Sequence, residues 1–320
     1  MTMTGLRTSS IEPFMAPAHA PANGDFVPGD EWFAARRASF GTASLDIGVG
    51  PLRFRLDGMS ATQADALAER YRPFVEGLPP GAPVDLTLHL GPAGVPEFLH
   101  LPPDGSETYR MERRSGPGLR DVWSYEFAAR LSLRRREADL ALVAESGHLF
   151  DRGLENYLRA LTASLILDRG GLLVHSAAVV HGGRGYLFFG PSGSGKTTVT
   201  LLSPRHTILS DDLAMVLPAH QGFVVAGIPF GMAHHHVPDS KESFPLAGLF
   251  RLIQSNQVAR EPLRGGRALA ELSSCLPFVM QETVEARQAL ANAGCVLDAV
   301  KAWRLLFRKD DAFWQVIEEA

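Results

Sequence analysis

The strongest signal in this chain is a run of nine residues, Gly190-Pro191-Ser192-Gly193-Ser194-Gly195-Lys196-Thr197-Thr198. The run fits the phosphate-binding pattern G-x-x-x-x-G-K-[ST], and the apolar segment Tyr186-Leu187-Phe188-Phe189 directly before it predicts a buried strand. A strand, a glycine-rich turn and the start of a helix are the local structure that this pattern requires. The sequence therefore predicts a loop whose backbone N–H groups point at one bound anion, and we expect all nine residues to contribute to a nucleotide site.

Two side chains of the loop have chemistry of their own. Lys196 is expected to reach the β- and γ-phosphates of a nucleotide, and the Thr197 hydroxyl is expected to bind Mg²⁺. Both roles are those of a phosphate-binding loop that works with Mg²⁺.

The composition is that of a folded globular protein. The chain has 320 residues, of which 45% are apolar and 21% are charged, and its formal net charge is −4. This charge indicates neither a nucleic-acid partner nor a membrane surface, and no signal peptide or membrane span is visible. The two cysteines, Cys275 and Cys295, have no pattern around them and are predicted to be buried thiols of a reducing compartment. A cytoplasmic location is expected.

Changes in composition divide the chain into three parts. Residues 1–30 are rich in Ala, Pro, Ser and Thr without periodicity, and are predicted to be a flexible tail. Residues 31–150 alternate short strand and helix patterns, including a strand over Pro51–Leu56 and a helix over Ala61–Val75, and are predicted to form a small α+β domain that selects substrates or acts as a scaffold. Residues 151–320 contain the loop and are predicted to form the phosphate-binding domain.

The sheet around the loop is predicted to be mixed and largely antiparallel. An amphipathic helix over Leu154–Leu167 leads into two apolar segments joined by a glycine-rich turn, which indicates a hairpin before the loop. After the loop, Pro204 ends the helix early, and another hairpin pattern follows. The fold class is therefore α/β, but without the regular strand–helix alternation of a parallel sheet. The later elements are predicted over Leu249–Ile253 and Trp303–Phe307 (strands) and over Ala268–Leu276 and Ala286–Val300 (helices).

The segment Ser210-Asp211-Asp212 supplies the carboxylates nearest to the loop along the chain. Asp212 is expected to orient an acceptor hydroxyl and accept its proton, and Asp211 to face Mg²⁺ directly or through water. Neighbouring residues on a strand point to opposite faces, so the two carboxylates share one site only if a turn intervenes. The alternative for Asp211 is that it merely caps the hairpin.

His175, the loop and the aspartate pair together resemble the HPr kinase/phosphorylase family, which has a phosphoenolpyruvate-carboxykinase-like fold. The specific motifs lie within residues 150–240. The sequence looks closest to the short HPr-kinase-related proteins found beside peptide-modification genes, some of which phosphorylate serine in a peptide. The resemblance implies a P-loop kinase domain that uses ATP and Mg²⁺, with Lys196 as the phosphate lysine and Thr197 as the metal ligand. It also implies that Asp212 is the proton acceptor and that His175 is an active-site histidine.

The chain departs from that family at two positions. The family has a metal-binding glutamate in a Glu-x-Arg-Gly element, whereas the corresponding stretch here, residues 224–229, has no carboxylate. The family's downstream arginine has three candidates, Arg251, Arg260 and Arg264. The residues alone also leave two sites open. His175 is either a core histidine or a group that touches the γ-phosphate or tunes Asp212, and His234-His235-His236 is either a loop at the site mouth or a zinc tract.

Three functions fit the sequence. The first is an ATP- and Mg²⁺-dependent kinase that phosphorylates a hydroxyl, with serine of a peptide or small protein as the expected acceptor. The second is a kinase for a small molecule on the same fold. The third is a regulator that binds a nucleotide without transferring phosphate, which the missing glutamate favours. The sequence does not indicate the oligomeric state.

Overall fold

The computed structural model describes residues 25–35, 38–79, 81–100, 109–230 and 241–318. Most of the predicted tail and the tract His234-His235-His236 lie outside these residues. In the described part of the chain, no helix is both long and apolar enough to cross a membrane.

The first half of the described chain forms a seven-stranded mixed sheet. The strand order is 1-2-3-7-6-5-4, and only the second–third and third–seventh strand pairs are parallel. Two helices accompany the sheet, α1 (Asp30–Ala34) and α2 (Ala61–Arg70). The strands are β1 (Ala43–Val49), β2 (Leu52–Met59), β3 (Leu86–Pro92), β4 (Glu112–Gly116), β5 (Leu119–Trp123), β6 (Phe127–Ser132) and β7 (Glu137–Leu142).

The local sequence determines where helix α2 begins and ends. The Ser60 hydroxyl accepts a hydrogen bond from the Gln63 N–H, and the Gln63 side chain accepts one from the Ser60 N–H, which forms a capping box. The helix ends at Arg70, earlier than the predicted Val75, because Pro73 disfavours helical backbone at the residue before it. A 3₁₀ turn over Arg72–Phe74 follows.

The long helix α3 (Gly147–Leu167) lies between the two halves of the molecule. It contacts β6 and β7 of the first sheet on one side and the first strand of the second sheet on the other. The residues of one face are buried, as the predicted stripe from Leu154 onward requires. The helix begins two turns earlier than that stripe does.

The second half of the described chain forms an eight-stranded sheet. Four helices accompany it in the described residues: α4 (Lys196–Leu201), α5 (Gly265–Ser273), α6 (Thr283–Ala299) and α7 (Phe313–Glu318). The strands are β8 (Leu172–His181), β9 (Arg184–Phe189), β10 (Thr207–Ser210), β11 (Leu213–Pro218), β12 (Phe223–Ala226), β13 (Ser243–Gln254), β14 (Ala259–Leu263) and β15 (Ala302–Phe307).

Two long strands, β8 and β13, organise this second sheet. The first half of β8 pairs with β11, and the second half pairs with β9 and β10. Strand β13 pairs first with β12 and then lies between β9 and β15. The prediction of a mixed, largely antiparallel sheet is confirmed, because only β9–β13 and β13–β15 are parallel among the described pairs. These three strands therefore end at the same edge of the sheet.

One continuous hydrophobic core joins the two sheets. Its buried members include Phe54 and Leu140 of the first sheet, Leu158 of α3, Leu173 of β8 and Val296 of α6. Burial of apolar area at roughly 25 cal/mol per Å² therefore stabilises both sheets together.

Candidate functional site

The loop between β9 and α4 is held in a conformation that needs glycine at both ends. Gly190 and Gly195 have φ angles of 155° and 107°. A Cβ on Gly190 would lie 2.8 Å from Arg251 Nη1, and a Cβ on Gly195 would lie 2.5 Å from Cζ of Phe307. Neither position could take another residue without displacing a neighbour.

Lys196 is folded over the loop that precedes it. Its ammonium group donates hydrogen bonds to the carbonyl oxygens of Gly190 (3.0 Å) and Pro191 (3.3 Å), and the residue is buried. Burial lowers the pKa of Lys196, an effect that nearby Cys275 and Asp212 oppose. The loop therefore has a desolvated cation at its centre, where a bound phosphate would replace the carbonyl partners.

The aspartate pair forms the bend between the end of β10 and the start of β11, so neither residue lies on a regular strand. The Ser210 hydroxyl accepts hydrogen bonds from the N–H groups of Asp212 (3.2 Å) and Leu213 (3.0 Å), which fixes this bend. Both aspartates are half-buried.

His175 is brought to Asp212 by strand register. His175 of β8 is paired with Leu213 of β11, and its Nε2 lies 3.3 Å from Asp212 Oδ1. Burial and the charge of Lys196 lower the pKa of His175, and Asp212 partly opposes them. The imidazole side chain is 39% exposed, so it is not enclosed in the core. Lys196, His175 and Asp212 therefore form one cluster.

Arg251 is the candidate arginine that lies at the loop. It is paired in register with Phe189, the residue before Gly190, and its Nε lies 2.6 Å from Glu271 Oε2. Arg260 instead stacks over the Trp303 ring at 4.6 Å, and Arg264 precedes α5 at an exposed position.

Two further residues support the loop and were not found from the sequence. Gln254, the last residue of β13, donates from Nε2 to the Gly193 carbonyl oxygen at 2.7 Å. The Phe307 ring packs against Gly195. Strand ends far apart in sequence supply both contacts, so no local pattern could have indicated them.

The two cysteines differ from the prediction and from each other. Cys275 is buried, and its carbonyl oxygen accepts a hydrogen bond from the His175 N–H at 2.8 Å. Cys295 is exposed, which corrects the prediction that both thiols are buried. It lies on the solvent-exposed side of α6, and the next residue, Val296, is buried.

A buried network on α3 connects the first half of the molecule with the site. The buried carboxylate of Glu155 accepts a hydrogen bond from the Tyr71 hydroxyl (3.1 Å) and lies 3.6 Å from Arg159 Nη2. Arg159 Nη2 also donates to the Phe230 carbonyl oxygen at 3.5 Å. The charge of Arg159 contributes to lowering the pKa of His175, so this network lies close to the cluster.

The oxygen groups near the loop fit a hard divalent cation. Thr197 is exposed on the first turn of α4, and Asp212 supplies a carboxylate near Lys196. Mg²⁺ prefers such ligands and is commonly held by one or two carboxylates together with substrate phosphates. In the described residues, no group of three or more His, Cys, Asp or Glu side chains is arranged to hold a metal on its own.

A protein-family model covers the second half of the chain. The model for the SynChlorMet cassette protein ScmC matches residues 160–320, which is half of the sequence. The matched region includes β8, the loop, the aspartate pair and all later elements. No curated protein matches the chain.

Proposed function

The chain belongs to the ScmC family of SynChlorMet cassette proteins, and from this starting point we propose that it is a kinase. It transfers the γ-phosphoryl group of ATP, with Mg²⁺, to a hydroxyl group, and the expected acceptor is serine of a peptide or small protein. The description of the family as a cassette protein is consistent with an acceptor encoded by a neighbouring gene.

One observation supports this proposal most directly: Lys196, Asp212 and His175 lie together at the mouth of the glycine-rich loop. Phosphoryl transfer needs aligned groups and neutralised charge more than covalent chemistry. Lys196 and the loop N–H groups would bind the phosphates. Asp212 would orient the acceptor hydroxyl and take its proton, and uncharged His175 would hold the Asp212 carboxylate in place.

Mg²⁺ would be held by Thr197 and Asp211, together with phosphate oxygens. A bound Mg²⁺ ion would neutralise charge that develops on the β- and γ-phosphates. Asp211 and Asp212 follow each other in a bend, so one can face the metal while the other faces the acceptor. Arg251 at Gly190 would add a second positive charge beside the phosphates.

The acceptor would enter between the loop and the first half of the molecule. Tyr71, Glu155 and Arg159 form a buried network on that side, which links the first half of the molecule to the surroundings of His175. A small-molecule acceptor on the same fold would use the same opening. A regulator without transfer is the other candidate, and one observation favours it: β12, where the related family has a metal-binding glutamate, contains only apolar residues.

The test is phosphate transfer from ATP labelled at the γ-position. Purified protein is incubated with Mg²⁺ and this ATP, with and without an extract of its own host, and label is followed into polypeptide and small-molecule fractions. We expect label in a polypeptide. The variants Lys196→Ala and Asp212→Asn should each lower transfer by about 100-fold or more, since general-base and phosphate-binding groups contribute on this scale.

Matched controls separate the outcomes. Lys301→Ala and Asp298→Asn replace the same residue types at exposed positions away from the loop and should leave transfer unchanged. Label in the small-molecule fraction would show that the acceptor is a small molecule rather than a polypeptide. ATP binding without transfer to either fraction would contradict the kinase and favour the regulator. Full transfer by Asp212→Asn would exclude that residue as the proton acceptor.

A further inference from the structure

A pocket of about 430 Å³ lies beside the phosphate-binding loop. It is lined by Thr198 of α4, by Gln254 and Asn256 at the end of β13, and by Phe307, Arg308 and Lys309 at the end of β15. Its volume falls within the roughly 300–1,000 Å³ range of small-molecule sites. Thr198 belongs to the loop, and Gln254 and Phe307 support it, but Asn256, Arg308 and Lys309 have no role assigned above.

The topology places the pocket and the loop on one edge of the sheet. Strands β9, β13 and β15 are parallel neighbours, so the loop after β9 and the pocket residues after β13 and β15 meet there. Ligands of α/β sheets bind outside the carboxyl ends of such strands. Gln254 bonds directly to the Gly193 carbonyl oxygen, so the pocket wall and the loop are in contact.

Two larger pockets lie away from the loop and cannot extend the phosphate site. The pocket of about 530 Å³ is lined by Leu263 and Ala302, the last residue of β14 and the first residue of β15, and so lies at the opposite edge. The pocket of about 710 Å³ is lined by residues of the first sheet and its flanking segments.

The pocket's chemistry suits an uncharged planar group attached to an anion. Gln254 and Asn256 offer amides that both donate and accept hydrogen bonds, as the edge of a base requires. Arg308 and Lys309 are cationic, Asp310 pairs with Arg308, and the lining itself contains no carboxylate. The planar guanidinium of Arg308 is 55% exposed and could stack on a flat ring.

We propose that this pocket binds the nucleoside, base and ribose together, of the nucleoside triphosphate whose phosphates occupy the loop. This inference rests on the proposed function, because it requires that the loop bind a nucleotide. It assigns recognition of the nucleoside to the ends of β13 and β15, and recognition of the phosphates to the loop. Binding of ATP and binding of inorganic tripolyphosphate should therefore depend on different residues.

The experiment compares the dissociation constants of ATP and inorganic tripolyphosphate, both with Mg²⁺, by calorimetry. Asn256→Trp fills the pocket from an exposed position, and Gln221→Trp adds the same bulk at the exposed β11–β12 turn. We expect Asn256→Trp to weaken ATP binding at least tenfold and to leave tripolyphosphate binding within twofold. Gln221→Trp should alter neither, and Lys196→Ala should weaken both.

Asn256→Leu, which removes the amide with little added bulk, provides a second variant if the tryptophan prevents folding. It should weaken ATP binding several-fold and leave tripolyphosphate binding unchanged. Unchanged ATP binding in the folded Asn256 variants, or an equal loss for both ligands, would overturn the inference while the kinase proposal stood. If the wild-type protein bound neither ATP nor tripolyphosphate, or if Lys196→Ala changed the affinity for neither, the inference and the kinase proposal would both fail.

Discussion

Gly195 combines a left-handed backbone with direct contact to an aromatic ring. Its φ of 107° is unfavourable for any residue with a Cβ, and the Phe307 ring occupies the space where a Cβ would lie. Gly193 in the same loop also has a positive φ, of 76°, but no atom lies within 4 Å of the position of its Cβ. Alanine substitutions at the two glycines therefore distinguish the cost of backbone strain from the cost of steric conflict.

We expect Gly195→Ala to destabilise the protein by about 3 kcal/mol, roughly 1–2 from the backbone and the remainder from overpacking against Phe307. Gly193→Ala should cost only about 1 kcal/mol. Urea unfolding of both variants measures the difference. Adding Phe307→Leu to Gly195→Ala should recover part of the loss. Equal stability of the two alanine variants would show that the Phe307 ring moves aside without a measurable cost in stability.

Single residues of the site were predictable wherever a local motif defines them. The loop pattern identified Lys196, and the pairing of β8 with β11 brings His175 and Asp212 together as the resemblance implied. The choice of Arg251 over the other arginines was not predictable, because it depends on the register between β13 and β9, which neither strand encodes locally. Their roles in catalysis remain predictions.

Helix α6 is tied to the end of α3 by one side chain. Asn292 donates from Nδ2 to the carbonyl oxygens of Leu167 and Gly171, each at 3.0 Å, and is buried. Leu167 ends α3, so this amide satisfies a carbonyl that lacks a partner within its own helix. The bonds fix the chain just before β8, the strand that carries His175.

Replacing Asn292 with alanine should lower the free energy of unfolding by about 2 kcal/mol, since the buried Gly171 carbonyl loses this partner and the Leu167 carbonyl keeps only its bond from the Gly170 N–H. Arg287→Ala, an exposed change on the same helix, should have an effect below about 0.5 kcal/mol. Thermal and urea unfolding measure both. Because the loop does not contact Asn292, ATP affinity should be unchanged; a large fall in affinity would show that α6 positions the loop.

Strands with clear apolar patterns were predicted from the sequence, but the edge strand β14 was not. Strand β14 has no alternation of apolar and polar residues and contains Pro262, which argues against a central strand. It is tolerated because β14 is the last strand of the sheet, where a missing N–H faces no partner strand. Strand β13 was predicted over Leu249–Ile253 but spans 12 residues, because it pairs with three neighbours.

The two halves of the molecule are joined by a buried ionic cluster as well as by the core. Glu285 of α6 is only 9% exposed, and its carboxylate lies 3.1 Å from Arg113 and 2.7 Å from Arg120 in the first sheet. The Ser164 hydroxyl of α3 also donates to it. This cluster joins β4, β5, α3 and α6. Three parts far apart in sequence supply it, so the sequence alone could not indicate it.

We expect Glu285→Ala to destabilise the protein by about 3–5 kcal/mol, because it leaves a buried guanidinium without its counter-charge. Glu261→Ala removes a carboxylate that is 55% exposed and lies 3.7 Å from Arg304, and should change stability by less than about 1 kcal/mol. Differential scanning calorimetry of both variants tests this. An effect of Glu285→Ala as small as that of the control would mean that this ionic cluster contributes nothing measurable to stability.

The position of Phe307 against Gly195 also sets an order of events during synthesis. The loop leaves the ribosome long before β13 and β15, yet its support comes from Gln254 and Phe307 at the ends of those strands. A nascent chain that lacks β15 therefore has the motif without its supporting residues. A ligand that binds only the native state stabilises that state by mass action. Under the proposed function, a nucleotide would therefore stabilise the completed chain, in which β13 and β15 support the loop.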